Sequence, residues 1–190
     1  MTSDLAAHRT ATEEWGTRLR QVRDDQWSLA TPCTAWTVRD LANHVVAGNE
    51  MSGLLLDGAD AATVKARLAG DHLGADPVAA WKHSSAVELA AFAEPGALDR
   101  TVHHPVGDVP AEVFLGFRIN DYLLHAWDLA RATGGDETLD PDAVAVAWAS
   151  LEPMAPIIAT IGMFGTGPSG TVAADAPFQT RLLDLSGRRA

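Results

Sequence analysis

The N-terminal part of the chain carries apolar residues at the period of an amphipathic helix. Over residues 4–23, Ala7, Ala11, Trp15 and Leu19 recur every four residues and fall on one stripe, while charged residues fill much of the remaining surface. This pattern predicts a first helix whose apolar stripe faces a protein core.

A second helix is expected after residues 24–36, which are rich in turn formers and should form a loop. Thr37 is a suitable N-cap, and Asp40 three residues later gives a pattern close to a capping box. The apolar face of this helix has one strongly polar residue in its middle, His44. A polar ring that faces inward would need a partner there.

Helical spacing, proline starts and glycine stops predict the remaining elements. A loop with a short helix is expected over 57–75, a third helix from Pro77 to Ala93, and a connection with at most one short hairpin over 94–109. A fourth helix should run from Pro110 to Gly134, and a fifth from Pro141 to Ile161, broken or kinked by Pro153 and Pro156. A Gly/Pro-rich loop over 164–170 and a closing helix from Pro177 to Ser186 complete the chain. The near absence of strand patterns predicts an all-α protein, and long helices with short connections favour a bundle. We expect the 190 residues to form a single domain, 1–190.

Composition and charge narrow the classes of partner. The formal net charge is −11, which argues against nucleic acids and anionic membrane surfaces, because both are bound through basic patches. No apolar run approaches the roughly 18 residues needed to cross a bilayer, and the N-terminus lacks the pattern of a signal peptide. The single cysteine, Cys33, excludes an intrachain disulfide and suits a reducing compartment. These features predict a soluble cytoplasmic protein. A homodimer is compatible with them.

The fourth predicted helix carries the strongest chemical signal. Asp121 and His125 are four residues apart, so a helix places them on one face, one above the other. With His44 they form a set of two histidines and one carboxylate drawn from two helices. Such a set can hold a metal ion and leave coordination positions open, as catalytic zinc sites do; it also suits non-haem iron or nickel. Spacing alone leaves a simple Asp–His hydrogen bond or an exposed pair as the alternative.

Two charged neighbours on the same helix each have more than one interpretation. Arg118, three residues before Asp121, could pair with it or bind an anionic substrate or cofactor, or be an ordinary surface charge. Asp128 could fix the tautomer of His125, although an ion pair with Arg131 is the interpretation that spacing favours.

Other polar and aromatic residues give weaker signals. Cys33 precedes the second helix and could be a reactive thiol, but a small buried residue is favoured because no activating base is identifiable. His103 and His104 lie in a connection and could reach the site, but are expected to be exposed. Trp36 and Trp127 are expected to fill the core.

Three stretches resemble one known family. WSLATPCTAWTVRDLANHVV resembles the N-terminal signature of the DinB-like, mycothiol-dependent maleylpyruvate isomerase superfamily, and NDYLLHAWDLARATG resembles its second signature. APFQTRLLDLSGRR resembles the closing helix of its single-domain, actinobacterial metal-binding members. The similarity spans nearly the whole chain, and the motifs are more specific for the superfamily than for a substrate.

The resemblance implies a four-helix bundle, here with additional short C-terminal helices, that holds a divalent metal, usually zinc, through two histidines and an acid. The matching positions are His44, Asp121 and His125; the isomerase itself has Glu where this chain has Asp121. The isomerase also has a further C-terminal domain, whereas only about fifty residues follow the start of the fifth predicted helix. This departure argues against maleylpyruvate itself as the substrate.

The expected chemistry follows from an open coordination position. A free thiol has a pKa near 8.5, and binding to a metal would deprotonate it at neutral pH. The thiolate could add to a small electrophile such as an activated alkene or an epoxide; the metal could instead activate water. We therefore expect a metal-dependent transferase or isomerase that uses mycothiol or a similar thiol, with a metal-dependent hydrolase and a non-catalytic metal- or ligand-binding protein as alternatives.

Overall fold

The computed structural model describes residues 3–105, 107–161 and 167–189. Within these residues the protein is mostly α-helical, with one two-stranded antiparallel sheet. The α-helices are α1 (Ser3–Leu19), α2 (Val38–Leu56), α3 (Ala61–Arg67), α4 (Pro77–Ala93), α5 (Ala111–Thr133), α6 (Pro141–Leu151), α7 (Ala155–Ile161) and α8 (Phe178–Leu185). The strands are β1 (Thr101–His104) and β2 (Gly107–Pro110), and short 3-10 helices cover Asp24–Gln26, Ala97–Asp99 and Glu152–Met154. The mostly helical fold confirms the predicted all-α class.

The long helices begin and end where their capping residues dictate. The Thr37 hydroxyl accepts a hydrogen bond from the backbone N–H of Asp40, and the Asp40 carboxylate accepts one from the N–H of Thr37, which completes the predicted capping box of α2. Asp76 caps α4, and Pro77 occupies its first turn. At the end of α5, Gly134 adopts a φ of 73°, the left-handed conformation that ends many helices.

The four longest helices pack as neighbouring pairs around a shared core. Helix α1 packs against α4 and α5, and α2 packs against the same two helices. Helix α6 covers α1 and α5, and α8 covers α6. The largest fully buried side chains come from all four long helices and include Trp15, Leu41, Phe92, Tyr122 and Trp127. The core therefore joins α2 to α5, the two helices that carry the predicted metal ligands.

One predicted helix is shorter in the structure, and another is broken at a proline as predicted. The first was predicted to reach residue 23 but ends at Leu19, since the chain turns before the 3-10 helix at Asp24–Gln26. The fifth is split into α6 and α7 by a 3-10 helix that contains Pro153, because a proline cannot donate the hydrogen bond that continues an α-helix. The predicted loop over 164–170 lies partly outside the described residues, which resume at 167.

The described helices also bear on membrane association. None of them is both long and apolar enough to cross a bilayer.

Candidate metal centre

His44, Asp121 and His125 lie together between α2 and α5. Asp121 Oδ1 is 3.1 Å from His44 Nε2 and 3.1 Å from His125 Nε2, so one carboxylate oxygen faces both rings. One ligand atom from each of the three residues lies within 4.8 Å of the others, close enough for one metal ion. We call these three residues the ligand cluster.

The ligand cluster opens towards solvent on the side of α2. The side chain of His44 is 39% exposed, that of Asp121 is 21% exposed and that of His125 is 9% exposed. The Trp36 ring covers part of the cluster, with its centroid 4.7 Å from that of His44 and 5.8 Å from that of His125. Trp36 is half-buried, so it forms a wall of the site rather than part of the central core.

His125 is oriented from behind by Asp128. Asp128 Oδ2 lies 2.9 Å from His125 Nδ1, on the ring edge opposite Asp121. An Nδ1–H that donates to this carboxylate leaves Nε2 as the nitrogen that faces the cluster. Arg131 pairs instead with Glu137, at 2.6 Å, so the Asp128–Arg131 ion pair predicted from spacing is wrong, and the tautomer-fixing alternative has the right geometry.

Arg188, in the segment after α8, completes this support. Its Nε lies 3.0 Å from Asp128 Oδ1 and its Nη2 lies 2.6 Å from Asp128 Oδ2, a two-point contact with a buried carboxylate. Although burial raises the pKa of Asp128, its hydrogen bonds to His125 and Arg188 lower the pKa to about 2. Asp128 therefore stays ionised and fixed in place.

Cys33 also contacts Asp128. Its Sγ donates a hydrogen bond to Asp128 Oδ2 at 3.3 Å, and Arg188 Nη2 lies 3.8 Å from the same sulfur. The sequence showed no partner for this half-buried thiol, and the structure corrects that. Cys33, His125 and Asp128 form a second group with metal-ligand spacing. Arg188 occupies both oxygens of Asp128, whereas Arg118 occupies only Oδ2 of Asp121 and leaves Oδ1 facing the two histidines, so the ligand cluster is the better centre.

Arg118 lies beneath Asp121 and is buried, so the interpretation as an ordinary surface charge is wrong. Its Nη1 donates to Asp121 Oδ2 at 2.5 Å, its Nε donates to Glu88 Oε1 at 2.7 Å, and its Nη2 donates to Asn49 Oδ1 at 2.8 Å. Each guanidinium nitrogen is thus engaged inside the protein. A direct contact between Arg118 and an anionic cofactor stays a prediction, while the observed geometry makes it a partner of Asp121.

Arg118 and the polar groups beneath it form a hydrogen-bonded set that we call the buried network. Its members are Asn49, Ser52, Glu88, Arg118 and Tyr122. Burial raises the pKa of Glu88, but the Arg118 charge, the His8 ring, whose Nε2 lies 3.5 Å from Glu88 Oε2, and the Tyr122 hydrogen bond lower it to about 2. The network therefore holds a buried ion pair one step away from the ligand cluster.

Charge interactions set the protonation states of the ligand cluster. Burial raises the pKa of Asp121, but the charges of His44, Arg118 and His125 outweigh it and hold the pKa well below its usual value. Burial lowers the pKa of His125, but the Asp121 charge and the hydrogen bonds with both neighbouring carboxylates raise it well above its usual value. Both shifts favour the charged forms of Asp121 and His125, so a metal at His125 Nε2 would compete with a proton.

The two histidines of the connection could reach the site but were expected to be exposed, and this expectation is wrong for His104. His103 is exposed and its Nδ1 lies 2.8 Å from Asp108 Oδ1 across the hairpin. His104 is half-buried, with its ring centroid 5.6 Å from that of Phe114 and 6.2 Å from that of Phe117. Neither belongs to a group with metal-ligand spacing among the described residues.

The sequence did not predict three features of the site: the buried Glu88, the support from Arg188, and the position of Trp36 beside the cluster. Glu88 had a detectable signal, because it lies four residues after Ser84 on the α4 face that buries Trp81. Arg188 lies beyond the closing helix, where no periodicity links it to α5.

The fold and the ligand cluster together define a mostly helical protein with a metal-ligand-like centre of two histidines and one carboxylate. A family model described as "Mycothiol maleylpyruvate isomerase N-terminal domain" matches residues 8–130, which include all three cluster residues. The chain belongs to this family.

Individual relatives extend the comparison over most of the chain. Two uncharacterized proteins of Mycobacterium tuberculosis, from strains CDC 1551 and H37Rv, are each 38% identical over 173 residues, which cover 91% of this chain and 87% of theirs. Among solved structures, a histidine-to-alanine mutant of the mycothiol-dependent maleylpyruvate isomerase matches with a TM-score of 0.60 and 18% identity, over 88% of this chain and 74% of that one. The isomerase itself matches with a TM-score of 0.56 and 19% identity, over 86% and 72% of the two chains. At these identities the structural likeness supports the fold.

Proposed function

We propose that this protein binds a divalent metal ion, with zinc favoured over nickel or iron, through His44, Asp121 and His125. At this centre a low-molecular-weight thiol such as mycothiol reacts with a small electrophile in a transfer or isomerisation reaction. The observation that carries the proposal is the convergence of both Nε2 atoms on Asp121 Oδ1. A cytoplasmic location is part of the same proposal.

The spacing of the donor atoms suits zinc. Donors at about 2.1 Å from a tetrahedral zinc ion lie about 3.4 Å from one another. The two measured Oδ1–Nε2 distances, both 3.1 Å, need only a small outward movement to reach that value. The His44 side chain is 39% exposed, which leaves room for its ring to make this movement. Three protein donors leave the fourth position of a tetrahedral ion free.

The protein side chains would orient the ligands and shape access to them. Asp128, fixed by Arg188, keeps the His125 ring aligned with Asp121. Trp36 covers one side of His44 and directs small molecules to the open side of the cluster. When bound, the metal would supply positive charge that lowers the pKa of a coordinating thiol and so favours the thiolate. The thiolate is the nucleophilic form of the cosubstrate.

The choice of a thiol cosubstrate rests on family membership and on the open side of the cluster. The family model and the similar crystal structures carry the name of a mycothiol-dependent isomerase. Nothing at the ligand cluster supplies a protein thiol to the free position, because the Cys33 sulfur contacts Asp128 on the other side of the His125 ring. An external thiol therefore has a place at the cluster that the described side chains leave free.

Cobalt substitution tests the proposal. Adding thiol to the cobalt-loaded protein should produce a thiolate-to-metal charge-transfer band, and thiol should be required for turnover of electrophiles. His44→Ala should remove the band, whereas His83→Ala, which removes an exposed histidine from α4, should retain it. An unchanged cobalt spectrum together with thiol-independent turnover would reject the thiol chemistry in favour of a hydrolase. Metal binding without turnover of any electrophile would support the alternative of a non-catalytic metal-binding protein.

A further inference from the structure

The buried network meets the ligand cluster at a single carboxylate. Glu88, which is fully buried, accepts hydrogen bonds from Arg118 Nε at 2.7 Å, from Ser52 Oγ at 2.7 Å and from the Tyr122 hydroxyl at 2.6 Å. Asn49 Oδ1 accepts a further bond from Arg118 Nη2 at 2.8 Å. The guanidinium is therefore fixed in position and in rotation.

This fixed guanidinium divides the two oxygens of Asp121 between different tasks. Oδ2 accepts the hydrogen bond from Arg118 Nη1, while Oδ1 faces the two histidine rings. A carboxylate free to rotate could offer either oxygen or both to a metal. With Arg118 in place, Oδ1 is the oxygen that is presented.

Gly48 provides the space that this arrangement needs. A Cβ atom at position 48 would lie 2.5 Å from Arg118 Nη1 and 2.9 Å from its Cζ, closer than such atoms approach. A glycine inside a helix is destabilising relative to alanine. Gly48 lies in the middle of α2, so this cost has a local explanation in the room left for the guanidinium.

We propose that Glu88 and Gly48 are positioning residues, which act through Arg118 to make Asp121 a one-oxygen metal ligand through Oδ1. The inference rests on the proposed metal centre. It assigns a task to the ion pair under the centre, because a carboxylate that binds through one oxygen leaves more of the coordination sphere to the cosubstrate. It also explains why a fully buried Arg–Glu pair lies next to a half-exposed cluster.

Substituting two glycines of the same helix separates positioning from a general effect on α2. Gly48→Ala should push the guanidinium away from Asp121. Gly53→Ala adds the same methyl group five residues later, where the nearest atom, Val87 Cγ1, would be 3.4 Å away and in ordinary contact. Arg118→Lys is a second variant, since an ammonium group cannot donate to Glu88, Asn49 and Asp121 with the geometry of the guanidinium fork.

The readouts are zinc affinity by chelator competition and the visible spectrum of the cobalt-loaded proteins. Gly48→Ala and Arg118→Lys should bind zinc 10- to 100-fold more weakly and show altered cobalt bands, as loss of an outer partner of a metal ligand generally does. Gly53→Ala should match the wild type, and helical circular dichroism should be the same for the two alanine variants.

The possible outcomes separate this inference from the proposed function. If His44→Ala and His125→Ala lose zinc while Gly48→Ala and Arg118→Lys keep wild-type affinity and cobalt bands, the metal centre stands and the positioning role is wrong. If the wild type binds no metal, or binds it without His44, both proposals fail. Equal losses in Gly48→Ala and Gly53→Ala would indicate a helix effect and would also overturn the positioning role.

Discussion

The ligand cluster and the buried network are built from similar groups but differ in how completely those groups are paired. In the network, the Glu88 carboxylate accepts bonds from three side chains and is fully buried. In the cluster, one oxygen of Asp121 is shared between His44 and His125, and the His44 side of the cluster is open to solvent. Burying a charge is costly unless it is paired and hydrogen-bonded, which the network achieves. The network thus suits a structural task, and the cluster keeps donor atoms for an added ion.

A buried ion pair and a candidate metal centre are therefore in direct contact here, although they share no residue. Arg118 belongs to the network yet reaches Asp121, and Asp128 supports His125 from the opposite side. The cluster is thus held between two buried carboxylates, Glu88 through Arg118 and Asp128 directly. Removing cluster residues should affect metal binding far more than folding, whereas removing network residues should both lower the stability of the fold and weaken metal binding.

The largest expected effect comes from His125→Ala. The substitution removes a ligand from the proposed centre, so metal content measured on protein purified without an affinity tag should fall to background. Helical circular dichroism should stay mostly intact, because the apolar core among the long helices does not depend on the cluster. Unfolding of the wild type on adding a chelator would instead make the metal structural and would contradict the distinction drawn above.

Acid unfolding measures the contribution of the buried network. The pKa of Glu88 is lowered from 4.5 to about 2, so its ionised form is the one that stabilises the fold. That stabilisation is present above pH 4.5 and is lost as the pH falls from 4.5 towards 2. A shift of this size corresponds to about 3 kcal/mol in the free energy of unfolding.

The test compares the wild type with Glu88→Gln by measuring denaturant unfolding of both proteins between pH 7 and pH 2. The variant should be less stable at pH 7, because Arg118 is left without its buried partner, and its stability should fall less steeply in acid. An identical pH dependence in the two proteins would mean that Glu88 does not hold the network together.

A smaller effect is expected from Asp128→Asn. The amide can still contact His125 but no longer offers a charged acceptor, so zinc should bind about 10- to 100-fold more weakly. The chelator competition assay measures this loss directly. An exposed acid of α2, Glu50, provides the control, and Glu50→Gln should leave zinc affinity unchanged.

The smallest effect is expected from Cys33→Ser. The serine hydroxyl can donate the hydrogen bond that the thiol now gives to Asp128, so metal content and thiol-dependent turnover should both be retained. Unfolding should shift by less than about 1 kcal/mol, in the range of a single neutral hydrogen bond. Loss of zinc in this variant would place the metal on the Cys33 side of His125.

The sequence predicted the parts of the fold that depend on local signals. The capping box at Thr37 and the terminal Gly134 both act within one helical turn, and both predicted the ends of their helices correctly. The split at Pro153 was anticipated for the same reason. The end of α1 was missed, because residues 20–23 carry no glycine or proline to mark it.

The candidate site was predictable only as far as helical spacing reaches. Asp121 and His125 share one face of a single helix, and His44 was a polar interruption of an apolar stripe. The support from Arg188 depends on a contact between residues 60 positions apart, which spacing cannot reveal. On α4, Val87 is exposed and Glu88 is buried, so apolar character alone does not reveal which of the two residues faces the core.

X-ray absorption spectroscopy of the zinc-loaded protein tests the central claim most directly. We expect one zinc ion per chain, with two nitrogen donors and one oxygen donor from the protein at about 2.0–2.2 Å. The nitrogen signal should weaken in His44→Ala, which should still fold because the Asp128 contact to His125 and the apolar core do not involve His44. A sulfur donor from the protein at about 2.3 Å, or a zinc spectrum that His44→Ala leaves unchanged, would contradict the account.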